Sequence, residues 1–158
     1  MEAKDRGYDL PIEVQQLGKD IFSHELRYHQ KRVLVSKEFR FDAAHHLHGY
    51  AGQCSHLHGH TYRVVFGISG LTDDAGIVID FTEIKTIWKQ HLEPLLDHRY
   101  LNTSLPKMNT TAENMVVWLY EQMNTHLSSK QYDLQVEFVR LYETPSSFAE
   151  ARREWMGG

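Results

Sequence analysis

Six of the chain's eleven histidines and its single cysteine lie between positions 45 and 60. They are His45, His46, His48, His56, His58 and His60, with Cys54 among them, in the stretch FRFDAAHHLHGYAGQCSHLHGHTY (39–62). Imidazole and thiol are the groups that bind zinc and move protons near neutral pH. Which of them act together depends on the face each occupies. Residues of one parity share a face of a strand. From Tyr62 onward the even positions are apolar (Tyr62, Val64, Phe66, Ile68), so His58 and His60 point inward, about 7 Å apart along the strand. In the preceding segment Val33, Val35, Phe39 and Phe41 are odd, and the same register through Ala43 brings His45 inward. Three imidazoles, His45, His58 and His60, therefore meet at one site, and the reading is zinc. Three nitrogens leave a fourth tetrahedral position open, as in catalytic rather than structural zinc. His46 and His48 have the wrong parity and His56 falls in the loop, which leaves them as rival ligands.

Cys54 sits four residues before His58, in a loop carrying Gly49 and Gly52. A nearby metal lowers a thiol's pKa toward neutrality and makes it a base. The competing reading is a small buried hydrophobe. Two later places could join the site. In Asp97-His98 a carboxylate could hold the imidazole as a proton relay, although a histidine at a helix C-terminus is also favoured by the helix dipole alone. Glu143, in ETPSS, could accept two hydrogen bonds from a guanidine-like edge, or be a solvated surface carboxylate. Arg40 and Gly49 flank the cluster and have no chemical role readable from the sequence.

The elements that must position these residues are legible by period. Residues 32–45 and 58–69 read as two long strands joined by the cysteine loop. Thr72 to Gly76 is a turn, followed by the apolar run 77–79. Asp80 is a good N-cap with Glu83 three positions on. Phe81, Ile84, Trp88, Leu92 and Leu95 follow at helical spacing, and the helix should end near Leu96. Thr110 to Glu113 reads as a second capping box. It opens a helix to about Leu127, with Met115, Trp118, Leu119, Met123 and Leu127 inward. Leu134, Val136 and Phe138 alternate with Gln135 and Glu137 in a third strand ending at Glu143, and residues 148–155 could supply a short fourth. The order ββααββ predicts an α+β fold, a four-stranded antiparallel sheet with two helices on one face. Residues 1–31 are expected to be an N-terminal extension, with Leu10, Ile12, Val14, Leu17, Ile21, Phe22 and Leu26 only loosely spaced. Residues 32–158 are expected to form a single domain.

At 158 residues the chain can bury a substantial core. The net charge of −4 and the absence of a basic stripe argue against a dedicated nucleic-acid or membrane-surface protein. One cysteine rules out an internal disulfide and fits a reducing cytoplasm. No signal-peptide pattern and no membrane-spanning apolar run stand out, so a soluble cytoplasmic protein is expected.

The segments FDAAHHL, CSHLHGHTY, IVIDFTEIK, LDHRYLN, NTTAENM and LYETPSS occur in the order seen in the 6-pyruvoyltetrahydropterin and 6-carboxytetrahydropterin synthase family, which residues 33–147 resemble. The resemblance implies the tunnelling fold, in which subunits join their sheets into a barrel. It also implies a homohexamer of two stacked trimers, with active sites at subunit interfaces. It assigns Zn2+ to His45, His58 and His60, the general base to Cys54 and its relay to Asp97 and His98. The pterin's 2-amino and ring N–H edge falls to Glu143, and Thr110 and Thr111 would line the pterin pocket. Three residues separate Cys54 from His58, a spacing similar to the bacterial 6-carboxy branch of queuosine (7-deazaguanine) biosynthesis. The implied lyase reaction converts 7,8-dihydroneopterin triphosphate to 6-carboxy-5,6,7,8-tetrahydropterin, releasing acetaldehyde and triphosphate. The rival readings are a 6-pyruvoyltetrahydropterin synthase, a zinc-dependent phosphohydrolase with Cys54 a bystander, and a non-enzymatic protein with a closed zinc site.

Overall fold

The structure is a computed structural model and describes residues 19, 21–27, 29–128 and 133–157. Two long strands, β1 (Arg32–His45) and β2 (His58–Leu71), pair antiparallel from Arg32↔Leu71 to His45↔His58. The register carries the odd residues of β1 and the even residues of β2 onto one face, where Phe41, Tyr62, Val64 and Phe66 are buried. The loop between them contains a short 3-10 turn, Gln53–Ser55. Gly49 and Gly52 take positive φ there, of 70° and 147°, which costs least without a Cβ.

Asp80 caps α1 (Phe81–Ile87), its side chain accepting from the Thr82 N–H. The helix runs through a π turn (Trp88–Leu92) into α2 (Glu93–Leu96). The π turn corrects the expected apolar face. A wider turn delays the next inward position by a residue, so Leu96 is buried while Leu95 is exposed; Phe81, at the start of α1 and before the π turn, is exposed as well. Ile84, Ile87, Trp88 and Leu92 complete the buried stripe. A two-residue strand β3 (Arg99–Tyr100) and a single turn α3 (Leu101–Ser104) follow.

Helix α4 (Ala112–Ser128) buries Met115, Trp118, Leu119, Met123 and Leu127 as expected. Its cap differs from expectation: the Thr111 hydroxyl accepts from the Asn114 N–H at 3.2 Å. Thr110 is buried elsewhere.

Strands β4 (Gln135–Thr144) and β5 (Ser147–Arg152) complete a sheet ordered β3-β1-β2-β4-β5. The sheet has five strands rather than four; the added one is β3, parallel to β1 at Ala43 and Ala44. The simple alternation along β4 also fails. The register slips between Gly67 and Ile68, where Gly67 faces Phe138 but Ile68 faces Val136. A bulge reverses the parity beyond it, so Val139 and Leu141 are buried and Phe138 turns to the opposite face.

The helices pack on the apolar face, and the other carries Glu38, Arg40, Arg63, Arg140 and Tyr142. Of residues 1–31, the described ones include a 3-10 turn, Ser23–Glu25, with Phe22 and Leu26 exposed. Leu10, Ile12, Val14 and Leu17 lie outside the described residues.

Candidate metal centre and its surroundings

The pairing of His45 with His58 brings three rings together at the end of the β1–β2 ladder. The ring centroids of His45, His58 and His60 stand 4.6–5.3 Å apart. His45 Nδ1 meets the Thr110 carbonyl at 2.8 Å, and His58 Nδ1 meets the His56 carbonyl at 2.7 Å. A carbonyl only accepts, so each Nδ1 carries the proton and each Nε2 presents a lone pair. These bare nitrogens face one another at 3.0 Å. Glu143 enters the same space, its Oε1 lying 3.3 Å from His45 Nε2 and 3.0 Å from His60 Nε2. His60 Nε2 is buried without a properly directed hydrogen bond. Acceptors facing acceptors at this distance repel unless a cation lies between them.

Tetrahedral ligands at ~2.0–2.1 Å from zinc stand roughly 3.4 Å apart, close to the spacings seen. The donor set, three neutral imidazoles and one carboxylate, suits zinc. The residues thus fit a metal ion, and His45, His58, His60 and Glu143 form one group that could hold it. The electrostatics agree. Burial lowers the pKa of His60, which keeps its ring neutral. Tyr62, beneath the rings, is raised by burial and stays a phenol.

Glu143 at the fourth corner is the residue that sequence reasoning placed differently. It was expected to anchor a ligand beside an open metal position. Here its side chain stands at the boundary between the donors and a neighbouring cavity. The rival histidines turn elsewhere: His46 Nδ1 lies 2.6 Å from the Tyr100 hydroxyl, and His48 is held through its backbone by Asn109.

Thr110 is wholly buried, its carbonyl and hydroxyl both serving His45, and Thr111 caps α4. Thr110's supporting role had no sequence signal, because it rests on a backbone carbonyl.

Cys54 is exposed on the 3-10 turn and is not a member of the donor group; its carbonyl accepts from the Leu47 N–H at 2.9 Å. Asp97 and His98 do touch, Nδ1 to Oδ2 at 2.9 Å. Asp42 holds them from β1: its N–H donates to Asp97 Oδ1 and its carbonyl accepts from the His98 N–H. His98 adopts φ 57°. The Asp42 N–H above all lowers the Asp97 pKa, and the hydrogen bond to Asp97 raises that of His98. In a single chain this pair forms a group with Asp42, separate from the imidazole cluster.

The sequence profile of the 6-pyruvoyl tetrahydropterin synthase family matches residues 34–154. The chain is 34% identical over 140 residues to a 6-carboxy-5,6,7,8-tetrahydropterin synthase of Haemophilus influenzae, covering 73% of this chain and 96% of that protein. It is 27% identical over 138 residues to the 6-pyruvoyl tetrahydrobiopterin synthase of Dictyostelium discoideum, covering 78% and 98%. In fold it is similar to the 6-pyruvoyl tetrahydropterin synthase of Caenorhabditis elegans, with a TM-score of 0.68 at 24% identity, covering 80% of this chain and 99% of that one.

Proposed function

From the premise that the chain belongs to the 6-pyruvoyl tetrahydropterin synthase family, and so is an enzyme of the tetrahydropterin synthase type, we propose that it is a zinc-dependent 6-carboxy-5,6,7,8-tetrahydropterin synthase. With water, 7,8-dihydroneopterin triphosphate would yield 6-carboxy-5,6,7,8-tetrahydropterin, acetaldehyde and triphosphate, a lyase step in 7-deazaguanine and queuosine biosynthesis. The observation that carries the reading is the donor cluster, with the lone pairs of His45 and His58 fixed inward by carbonyls on their far nitrogens. Its branch rests on the Haemophilus relative and on the three-residue spacing of Cys54 from His58.

His45, His58 and His60 would hold the zinc, which supplies Lewis acidity toward the substrate's side-chain hydroxyls. Glu143 lies at the edge of the cavity. Rotating its carboxylate off the imidazoles would free the fourth position and offer two acceptor oxygens to the pterin's amino and ring N–H edge. Cys54 would take a proton from the substrate side chain, and His98, held by Asp97, would carry protons to and from it. No helix among the described residues is long and apolar enough to cross a membrane. We also propose a homo-oligomer, a hexamer in the resemblance, because Cys54 and His98 are exposed and a second copy could bring them together.

The test is a product assay on zinc-loaded protein with 7,8-dihydroneopterin triphosphate, following acetaldehyde and pterin mass beside Cys54→Ala. The expected result is acetaldehyde with the carboxy product, and a loss of roughly 10²–10⁴-fold in the variant. The Dictyostelium relative favours a second reading, 6-pyruvoyltetrahydropterin synthesis, which the product mass distinguishes. Release of triphosphate alone, at a rate untouched by Cys54→Ala, would replace both with a phosphohydrolase.

A further inference from the structure

Arg40 stands on the bare face of the sheet, in β1, directly opposite Arg63 of β2. Like charges facing each other across an antiparallel pair are destabilising. The two guanidiniums are not equivalent. Arg63 is fixed: its Nη1 donates to Glu38 at 3.0 Å, and its guanidinium lies over the Tyr142 ring at 3.8 Å. Arg40 is exposed, and among the described residues it has no recorded hydrogen bond or ion pair. Both line one cavity of about 550 Å³ with His60, Tyr142, Glu143 and Pro145. That cavity therefore runs from the metal donors to a pair of cations. Its one acidic lining residue, Glu143, is turned toward the imidazoles.

We propose that Arg40 and Arg63 form a polyphosphate subsite that seats the triphosphate of the substrate and then of the product. The inference rests on the substrate assigned above. The triphosphate is attached to the carbon next to the hydroxyl-bearing carbons, so it must sit close to the metal donors. A guanidinium presents a planar fork that meets phosphate oxygens two at a time. A polyanion between the two arginines also turns their mutual repulsion into shared attraction. Arg63, held flat on Tyr142, supplies a preorganised wall, and the free Arg40 closes on the ligand. Reaction leaves the triphosphate as an anion released from carbon, and the two cations stabilise the charge that develops on it.

Calorimetric titration of zinc-loaded protein with inorganic triphosphate, for wild type, Arg40→Gln and Arg40→Lys, tests this directly. Losing a charge-assisted pair predicts that Arg40→Gln weakens triphosphate binding by roughly tenfold or more, with partial recovery in Arg40→Lys. The affinity for 7,8-dihydroneopterin, which lacks phosphate, should be equal in all three. Equal triphosphate affinity in wild type and Arg40→Gln would overturn the subsite, as would an equal loss for the phosphate-free pterin. The two proposals fail separately. Arginine-dependent triphosphate binding without pterin turnover sinks the function and keeps the subsite, whereas normal turnover with an unchanged KM in Arg40→Gln does the reverse.

Discussion

A histidine next to an aspartate in sequence need not touch it, yet His98 and Asp97 form a direct contact that a backbone clamp from Asp42 maintains. His98 is 78% exposed, so ordinary solvation would leave it near its usual pKa. The carboxylate raises it instead. The sign is definite: a base whose folded pKa is raised adds stability below its unfolded pKa and loses it as pH rises through the folded one. By NMR, the His98 ring should titrate with a midpoint above 6.5. In Asp97→Asn the midpoint should fall back, and the variant's stability deficit should be largest in mild acid and shrink at alkaline pH to the part that comes from the carboxylate's hydrogen bond with the Asp42 N–H. An unmoved midpoint would show that the pair does not share a proton. At this scale the imidazole cluster was legible, because parity alone placed His45, His58 and His60 on one face. Glu143 was legible as a residue that could join the site, but its approach to the rings was not: it depends on where β4 falls against β2, which no local pattern in β4 encodes. Asp42 was equally hidden, because its backbone groups do the holding.

The register slip in β4 is what the alternation Leu134, Val136, Phe138 could not reveal. Glycine at position 67 is the other half of the device. A Cβ there would overlap the Phe138 ring, which crosses the strand over the gap. Gly67→Ala should therefore destabilise the protein by about 1–3 kcal/mol, the usual cost of overpacking, in urea unfolding. Phe138→Ala should remove the clash, so the double variant should be more stable than the sum of the two losses predicts. Strict additivity would mean that the ring does not fill the glycine's space. The π turn has the same character. Trp88 and Leu92 were found by helical spacing, but the shift from Leu95 to Leu96 follows from one extra residue in a turn, which periodicity averages away. Elements whose faces obey a single period were readable end to end, as in α4. Those with an insertion were readable only up to it.

Taken as a whole, the single chain leaves both its sheet edges and its chemistry incomplete. Beyond Ala43 and Ala44, the outer edge of β1 pairs with nothing among the described residues, and the outer edge of β5 is equally open. Val33, Leu34 and Phe148 are exposed near these edges. Long unpaired edges invite another strand, and identical chains satisfy them most simply by closed symmetry. The same incompleteness holds for Cys54, exposed on its loop, and His98, exposed beside β3: neither belongs to the imidazole group of its own chain. If the proposed chemistry needs both, we predict that the base and its relay come from different copies. Inactive Cys54→Ala and His98→Ala proteins can then be unfolded together, refolded and assayed. Random mixing pairs an intact Cys54 with an intact His98 at about a quarter of the interfaces, so about a quarter of wild-type turnover should return. Refolding either variant alone should return none. If base and relay instead worked within one chain, every subunit in the mixture would lack one of them and no activity would reappear, whatever the size of the assembly.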